Sequence, residues 1–220
     1  MAETLTREAA MTVAAAFVAA AVAGYLLGSC PNGLLISRAR GFDIREHGSG
    51  NIGATNVLRV LGKKWGYLVF FLDALKGFLA VWIGFLLARV VLPPIPSDEI
   101  GIMSGLFCIL GHTFPVWLRF RGGKGVATSA GVLLGLMPLV VFSVLTVWLL
   151  LFYATRYVSV ASVLAAAALP IFVFLYLRVH VLTGPMLLPF SILIASVVIW
   201  RHRSNMRALF HGTEERFEKK

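Results

Sequence analysis

Six apolar runs of helix-spanning length dominate this chain: residues 11–30, 65–92, 100–118, 138–155, 158–178 and 185–200. A helix needs roughly 20 apolar residues to cross a bilayer, and backbone in lipid must satisfy its own hydrogen bonds. Only helices or closed barrels do so, and runs this continuous lack the alternation of a barrel strand. Hydrophobic residues make up 59% of the 220 and charged ones 14%, more apolar surface than a soluble domain needs. The expected fold is an all-α polytopic membrane protein.

One stretch is awkward. Residues 125–137 give only about 20 Å at 1.5 Å per residue, against a hydrocarbon core of roughly 30 Å. They form either a separate short span or the start of one helix kinked at Pro138. Charge decides between these. With seven spans, the N-terminus outside and the C-terminus cytoplasmic, the inner segments hold Arg38, Arg40, Arg45, Arg59, Lys63, Lys64, Arg119, Arg121, Lys124 and Arg156. The tail adds Arg201, Arg203, Arg207, Arg216, Lys219 and Lys220, while Arg7, Arg89 and Arg178 fall outside. A six-span arrangement would export Arg156 and the basic tail, against the positive-inside rule. Seven spans are expected, in one domain covering 1–220.

The net charge of +10 would suggest nucleic acid in a soluble protein. Here the bases flank membrane runs, so orientation in the bilayer and anionic ligands account for them, and no nucleic-acid partner is expected. Cys30 and Cys108 lie in or beside apolar runs, which implies no disulfide framework. The run 11–29 follows Glu3, Arg7 and Glu8 and is long for a signal-peptide core, so a retained first span is expected. Gly24 and Gly28 have the spacing for close helix packing. Residues 91–97 are Pro-rich and Thr183-Gly184-Pro185 is turn-forming, both on the outer side.

The polar residues gather in four segments. Gly111 to Thr128 reads GHTFPVWLRFRGGKGVAT, with Gly122-Gly123-Lys124-Gly125 entering a helical run. Glycines around a lysine let successive backbone N–H groups point into one concavity, which is how a chain cradles phosphate. It is not a Walker A loop, because Leu118 stands where glycine is required and Gly125 follows the lysine. The second segment, 41–59, alternates glycines with Ser49, Asn51, Thr55 and Asn56 before Arg59, a set suited to wrapping an oxygen-rich anion. A short interfacial helix over 54–60 and a helix cap are the plainer account of the same residues. The third segment, from Arg156, places Ser159 and Ser162 at a helix start, where a hydroxyl caps the helix or binds an anion. In the fourth, His202 and Asn205 stand three apart on a helix leaving the membrane, among arginines.

Two charges lie inside an apolar run. Asp73 and Lys76 share a helix face at i,i+3, and either neutralise each other structurally or serve function. His112 is a packing or hydrogen-bonded residue by the same reasoning. All four polar segments fall on the inner face, and the outer face is nearly bare. That asymmetry points to a phosphate-binding pocket at the cytoplasmic interface, taking one soluble phosphate and one membrane-dissolved lipid.

These motifs resemble the bacterial acyl-phosphate:glycerol-3-phosphate acyltransferase family over nearly the whole chain. The resemblance rests on GSGNIGATN at 48–56 with Arg59, FFLDALKG at 70–77, GHTFPVWLRFRGGKGVAT at 111–128, RYVSVAS at 156–162, and RHRSNMR at 201–207 before GTEER at 212–216. Cys30-Pro31-Asn32 and the polar start before the first span are small departures. The resemblance implies acyl transfer from acyl phosphate to the 1-hydroxyl of glycerol 3-phosphate, giving lysophosphatidic acid and phosphate in a bacterial inner membrane. It implies no cofactor and no metal, and leaves open contact with the enzyme that makes acyl phosphate. Gly122, Gly123, Lys124, Gly125 and Thr128 would hold a substrate phosphate. Ser49, Arg59, Ser159, His202 and Asn205 would bind glycerol 3-phosphate, aided by Gly50, Asn51, Thr55, Asn56 and Ser162. Lys124, His202 and Asn205 would be the catalytic set, the proton passing to His202 or to a substrate phosphate oxygen. None of the five histidines is followed by the His-x4-Asp pair of better-known glycerolipid acyltransferases. An organic-phosphate transporter is the alternative, although no polar path to the outer face is visible. A lipid-phosphate phosphatase would call for paired histidines or metal carboxylates.

Overall fold

The computed structural model describes residues 2–90 and 97–217, and among them every regular element is helical. In chain order these are α1 (Ala2–Gly28), α2 (Asn32–Ala39), α3 (Ala54–Leu61), α4 (Lys63–Arg89), α5 (Ser97–Thr113), α6 (Val126–Leu136), α7 (Pro138–Thr155), α8 (Val158–Arg178), α9 (Leu187–Arg201) and α10 (Arg203–Phe210). Five helical stretches, Ala10–Ala39, Lys63–Arg89, Asp98–Leu118, Pro138–Thr155 and Val158–Arg178, are long and apolar enough to cross a membrane. Helices α6 and α9 are apolar but shorter. Of the Pro-rich turn expected on the outer side at 91–97, residues 91–96 lie outside the described residues.

The chain forms two compact units, one running through Leu136 and one beginning at Met137. In the first, Ala16 and Ala20 of α1, Ala88 of α4 and Ile100 of α5 form a buried cluster. Small residues bring the backbones together: a Cβ at Gly24 or Gly28 would lie 2.1 or 2.0 Å from the carbonyl oxygens of Ser104 or Cys108. Without lipid-excluding hydrophobic force, such close van der Waals contact is what holds membrane helices together. The glycine spacing read from sequence therefore fixes the α1–α5 seam.

The polar stretch after α1 is more helical than its composition suggests. Helix α2, which the sequence reading did not anticipate, a 3-10 turn at Ile44–Glu46 and α3 fold around Leu34, Ile44, Ile52, Val57 and Val69. Helix α3 matches the short interfacial helix expected there. Helix α5 stops at Thr113, ahead of the expected limit at 118, because Phe114 precedes Pro115, which cannot donate to a continuing helix.

In the second unit, Pro138 occupies the first turn of α7, where its fixed φ suits a helix start. Met137 before it is not helical (φ −145°, ψ 66°), so α6 and α7 are separate helices and not one kinked rod. Only Val140 is buried along α7, an apolar rod whose natural solvent is lipid. Helix α8 carries Pro170 internally, and α9 gives way to α10 at His202.

Candidate active site

In the first unit, the Gly-Lys segment closes back on the helix that precedes it. Thr113 Oγ1 donates to the Ile109 carbonyl at 2.8 Å, ending α5 neatly. The chain then turns through Arg119 and Phe120, both at positive φ (50° and 61°). Gly122 N–H donates to the Thr113 carbonyl at 3.1 Å and Gly123 N–H to the His112 carbonyl at 3.0 Å. The last carbonyls of a helix have no partner within it, so these two amides satisfy them. This corrects the picture in which the N–H groups of all the loop glycines face one concavity: two of them lock the loop to α5. Both glycines are required by space as well. A Cβ at Gly122 would meet the His112 carbonyl at 2.1 Å, and one at Gly123 the His112 Nε2 at 2.0 Å.

Lys124 and Gly125 follow, with Gly125 at φ +82°, and lead directly into the first turn of α6. There Thr128 Oγ1 and Ser129 Oγ are buried with no hydrogen-bond partner in the protein. Buried hydroxyls normally find partners, and these two stand in the first turn of a helix, where the dipole is positive.

The 41–59 segment divides into scaffold and contact groups. Asn56 is buried and is the hub: its Oδ1 accepts from Ser49 N–H (2.9 Å), and its Nδ2 donates to the carbonyls of Ile44 (3.2 Å), His47 (3.0 Å) and Asn51 (2.9 Å). Asn51 Oδ1 accepts from Gly53 N–H at 2.8 Å, shaping the entry to α3. Gly50 is at φ +67°, and Ser49 is exposed. Asp43 caps the 3-10 turn by accepting from Arg45 N–H (3.1 Å) and Arg45 Nε (2.8 Å). The Arg45 guanidinium holds that carboxyl well below the usual carboxylate range. Thr55 and Arg59 lie on α3, half-buried.

Beneath the loop lies a polar cluster. Asp73 Oδ1 sits 2.9 Å from Lys76 Nζ and 3.7 Å from His112 Nδ1, and accepts from Asn32 Nδ2 at 3.0 Å. The shared face of Asp73 and Lys76 is as the spacing implied. His112 is the residue that sequence reasoning undervalued. Its signal was its place directly before the loop, within one span of two charges needing a partner.

In the second unit, Ser159 stands in the first turn of α8, buried, with its Oγ lacking a partner in the protein. Ser162 differs: its Oγ accepts from Trp148 Nε1 at 3.1 Å and so ties α7 to α8. His202 is buried at the break between α9 and α10, so it and Asn205 do not lie on one continuous helix as the spacing suggested. The main chain turns because His202 N–H is shared between the Val198 and Ile199 carbonyls. His202 Nδ1 lies 2.8 Å from the Val198 carbonyl, an acceptor only, so Nδ1 carries a proton and donates there. Asn205 Nδ2 donates to Glu214 Oε1 and Oε2 at 2.9 and 3.1 Å. Glu214 reaches it from a C-terminal strap in which Phe217 N–H donates to the Arg156 carbonyl (3.0 Å) and Arg216 Nε to that of Thr155 (3.2 Å). Among the described residues, no group of three or more His, Cys, Asp or Glu is arranged to hold a metal.

These features define a polytopic integral membrane protein. The glycerol-3-phosphate acyltransferase family profile matches residues 18–212. A glycerol-3-phosphate acyltransferase of Trichlorobacter lovleyi is 45% identical over 194 residues, covering 88% of this chain and 94% of that protein. One from Agrobacterium fabrum is 42% identical over 211 residues, 95% and 96% of the two chains. The crystal structure of PlsY (YgiH), an integral membrane glycerol 3-phosphate acyltransferase in its glycerol 3-phosphate form, superposes with a TM-score of 0.82 at 40% identity. It covers 92% of this chain and 96% of that one. A lysophosphatidic acid form of PlsY matches with a TM-score of 0.79. The chain belongs to the glycerol-3-phosphate acyltransferase family.

Proposed function

We propose that this acyltransferase takes its acyl group from acyl phosphate and places it on the 1-hydroxyl of glycerol 3-phosphate. The products are lysophosphatidic acid and inorganic phosphate, the first step of phospholipid synthesis. The observation that carries this reading is the start of α6, where Lys124 precedes a helix N-terminus with two buried, unpartnered hydroxyls, Thr128 Oγ1 and Ser129 Oγ. Such a site is suited to phosphate oxygens. The occurrence of PlsY in glycerol 3-phosphate and lysophosphatidic acid forms supports substrate and product.

The first unit supplies phosphate recognition. Lys124, Gly125 and Thr128 hold a substrate phosphate on a loop that Gly122 and Gly123 lock in place. Ser49 and Arg59 contact phosphate oxygens, on a loop whose shape Gly50, Asn51, Thr55 and Asn56 maintain. Ser159, His202 and Asn205 are assigned to substrate hydroxyls, with Ser162 fixing the start of α8. The residues 1–220 serve one activity.

An acyl phosphate is a mixed anhydride with a good leaving group, so no covalent enzyme intermediate is needed. The glycerol oxygen attacks the acyl carbonyl carbon and a new C–O bond forms. The bond to the phosphate oxygen breaks, its electron pair leaves with phosphate, and the hydroxyl proton goes to a substrate phosphate oxygen. His202 orients that hydroxyl. The protein aligns two anions and offsets their repulsion, with Lys124 stabilising charge on the departing phosphate. The chain crosses a bacterial inner membrane seven times, its N-terminus outside and its C-terminus and active face cytoplasmic.

Purified protein in detergent, given glycerol 3-phosphate with palmitoyl phosphate or palmitoyl coenzyme A, tests the donor. Lysophosphatidic acid detected by mass spectrometry from the acyl phosphate alone is the expected result. Product from the thioester alone would overturn the donor assignment. Lys124→Ala is expected to remain folded and lose most turnover, and near-wild-type activity would sink the phosphate-loop reading.

A further inference from the structure

The Asp73–Gly77 turn of α4 touches each of the elements that frame the Gly-Lys loop. Asp73, Lys76 and His112 are 2%, 4% and 5% exposed, so water does not screen them. Lys76 Nζ, besides pairing with Asp73 at 2.9 Å, donates to the Cys30 carbonyl at 2.8 Å, just before α2. Asn32 of α2 and His112 of α5 both turn to the same Asp73 oxygen. One residue further on, a Cβ at Gly77 would lie 2.2 Å from the Thr128 carbonyl in the first turn of α6. The Ala74 carbonyl is likewise 1.8 Å from where a Cβ at Gly131 would stand.

Neutralising Asp73 needs only Lys76. The further partners from α2 and α5 do something else, because they bind those helices to one point. A buried ion pair is poor evidence for stability, since desolvation cancels much of its attraction. What it fixes well is geometry. His112 is the lever: its carbonyl takes the Gly123 N–H at 3.0 Å, and its ring fills the space above Gly123.

We infer that Asp73 and Lys76 are positioning residues for the phosphate loop, holding His112, and through it Gly123, in register with the first turn of α6. The inference rests on the loop's proposed role as a phosphate site. Replacing both charges by apolar residues of similar size, Asp73→Leu with Lys76→Met, separates geometry from stability, because such exchanges are often neutral or stabilising. The double variant strands Asn32 Nδ2 and the Cys30 carbonyl, so it is expected to stay folded with a modestly lower melting temperature yet lose about 10²-fold in kcat/KM, the scale of a 1 Å misplacement. The KM that rises should belong to the same phosphate substrate whose KM rises in Lys124→Arg. Wild-type kinetics in the double variant, with Lys124→Arg and Lys124→Ala impaired, would overturn the positioning role alone. Full activity of Lys124→Ala would instead overturn the loop reading and this inference with it.

A second pair of variants bears on the same point should the double variant not fold. His112→Leu is expected to lose at least about tenfold in kcat/KM with an unchanged melting temperature. His112→Gln, which retains a donor for Asp73, is expected to recover most of that loss. Equal activity in the two would overturn the inference.

Discussion

Gly123 lies so close above His112 that a Cβ on it would stand 2.0 Å from the imidazole Nε2. His112 is buried, and its Nδ1 faces Asp73 Oδ1 at 3.7 Å on the other side. Gly123→Ala must therefore displace the loop and carry Lys124 with it. The expected result is a loss of about 10²-fold in kcat. Turnover by purified, monodisperse protein checks this, and undiminished turnover would show that the loop's seat on α5 is irrelevant to catalysis.

Asn56 and Ser49 sit in one loop but have different work. Removing the Asn56 side chain strands one N–H and three carbonyls that it now serves. At about 1 kcal/mol net for each bond, Asn56→Ala should cost about 2–4 kcal/mol. Thermal unfolding in detergent should fall by several degrees, given about 2–4 °C per kcal/mol at this size. Ser49→Ala leaves that network intact, because the bond to Asn56 uses the Ser49 backbone. It should shift stability by less than about 0.5 kcal/mol while lowering activity. The reverse pattern would exchange the two roles.

The two serines opening α8 make a similar contrast. Ser162→Ala removes the acceptor of the half-buried Trp148 Nε1 and should destabilise by about 1 kcal/mol, the net worth of such a bond. Ser159→Ala removes a hydroxyl that has no partner in the protein. Its melting temperature should stay level or rise, while KM for glycerol 3-phosphate increases. If Ser159→Ala instead unfolds readily with normal KM, that hydroxyl is structural.

How much of this was legible beforehand follows from what each residue type announces. Apolar runs announce spans, because lipid demands them, and each of the five long stretches overlaps a run read from sequence, although the first extends to Ala39 against an expected 30. Pro138 announced a break but not its kind, since a proline serves equally as a kink or as the first residue of a new helix. Helix α2 was hidden because the helix 32–39 begins at an unremarkable Asn and mixes polar and apolar residues. The site motifs were visible as polar clusters, but their division of labour was not. Asn56 and Ser49 look alike as hydrogen-bonding residues, and only the fold shows one buried at a hub. His112 looked like filling because its importance lies in what stands above it, and Gly123 carries no side chain to announce that. Glu214 was seen only as part of a tail motif, since its partner Asn205 is nine residues away across a turn.

That tail contact gives the last expectation. Asn205 is held by its nitrogen end, both Glu214 oxygens accepting from Nδ2, so Glu214 sets the orientation of its amide. Glu214→Ala removes the hold and lets the amide rotate. Half-buried and charge-assisted, the contact should be worth about 1–2 kcal/mol, so both melting temperature and activity should fall. Glu214→Gln keeps one acceptor oxygen and should retain more of each. Because Phe217 N–H still binds the Arg156 carbonyl in both variants, the strap stays attached and the difference between them reports on Asn205. Kinetics with glycerol 3-phosphate decide it: a higher KM in Glu214→Ala than in Glu214→Gln is expected. Equal KM values would mean that Glu214 braces the tail without orienting Asn205.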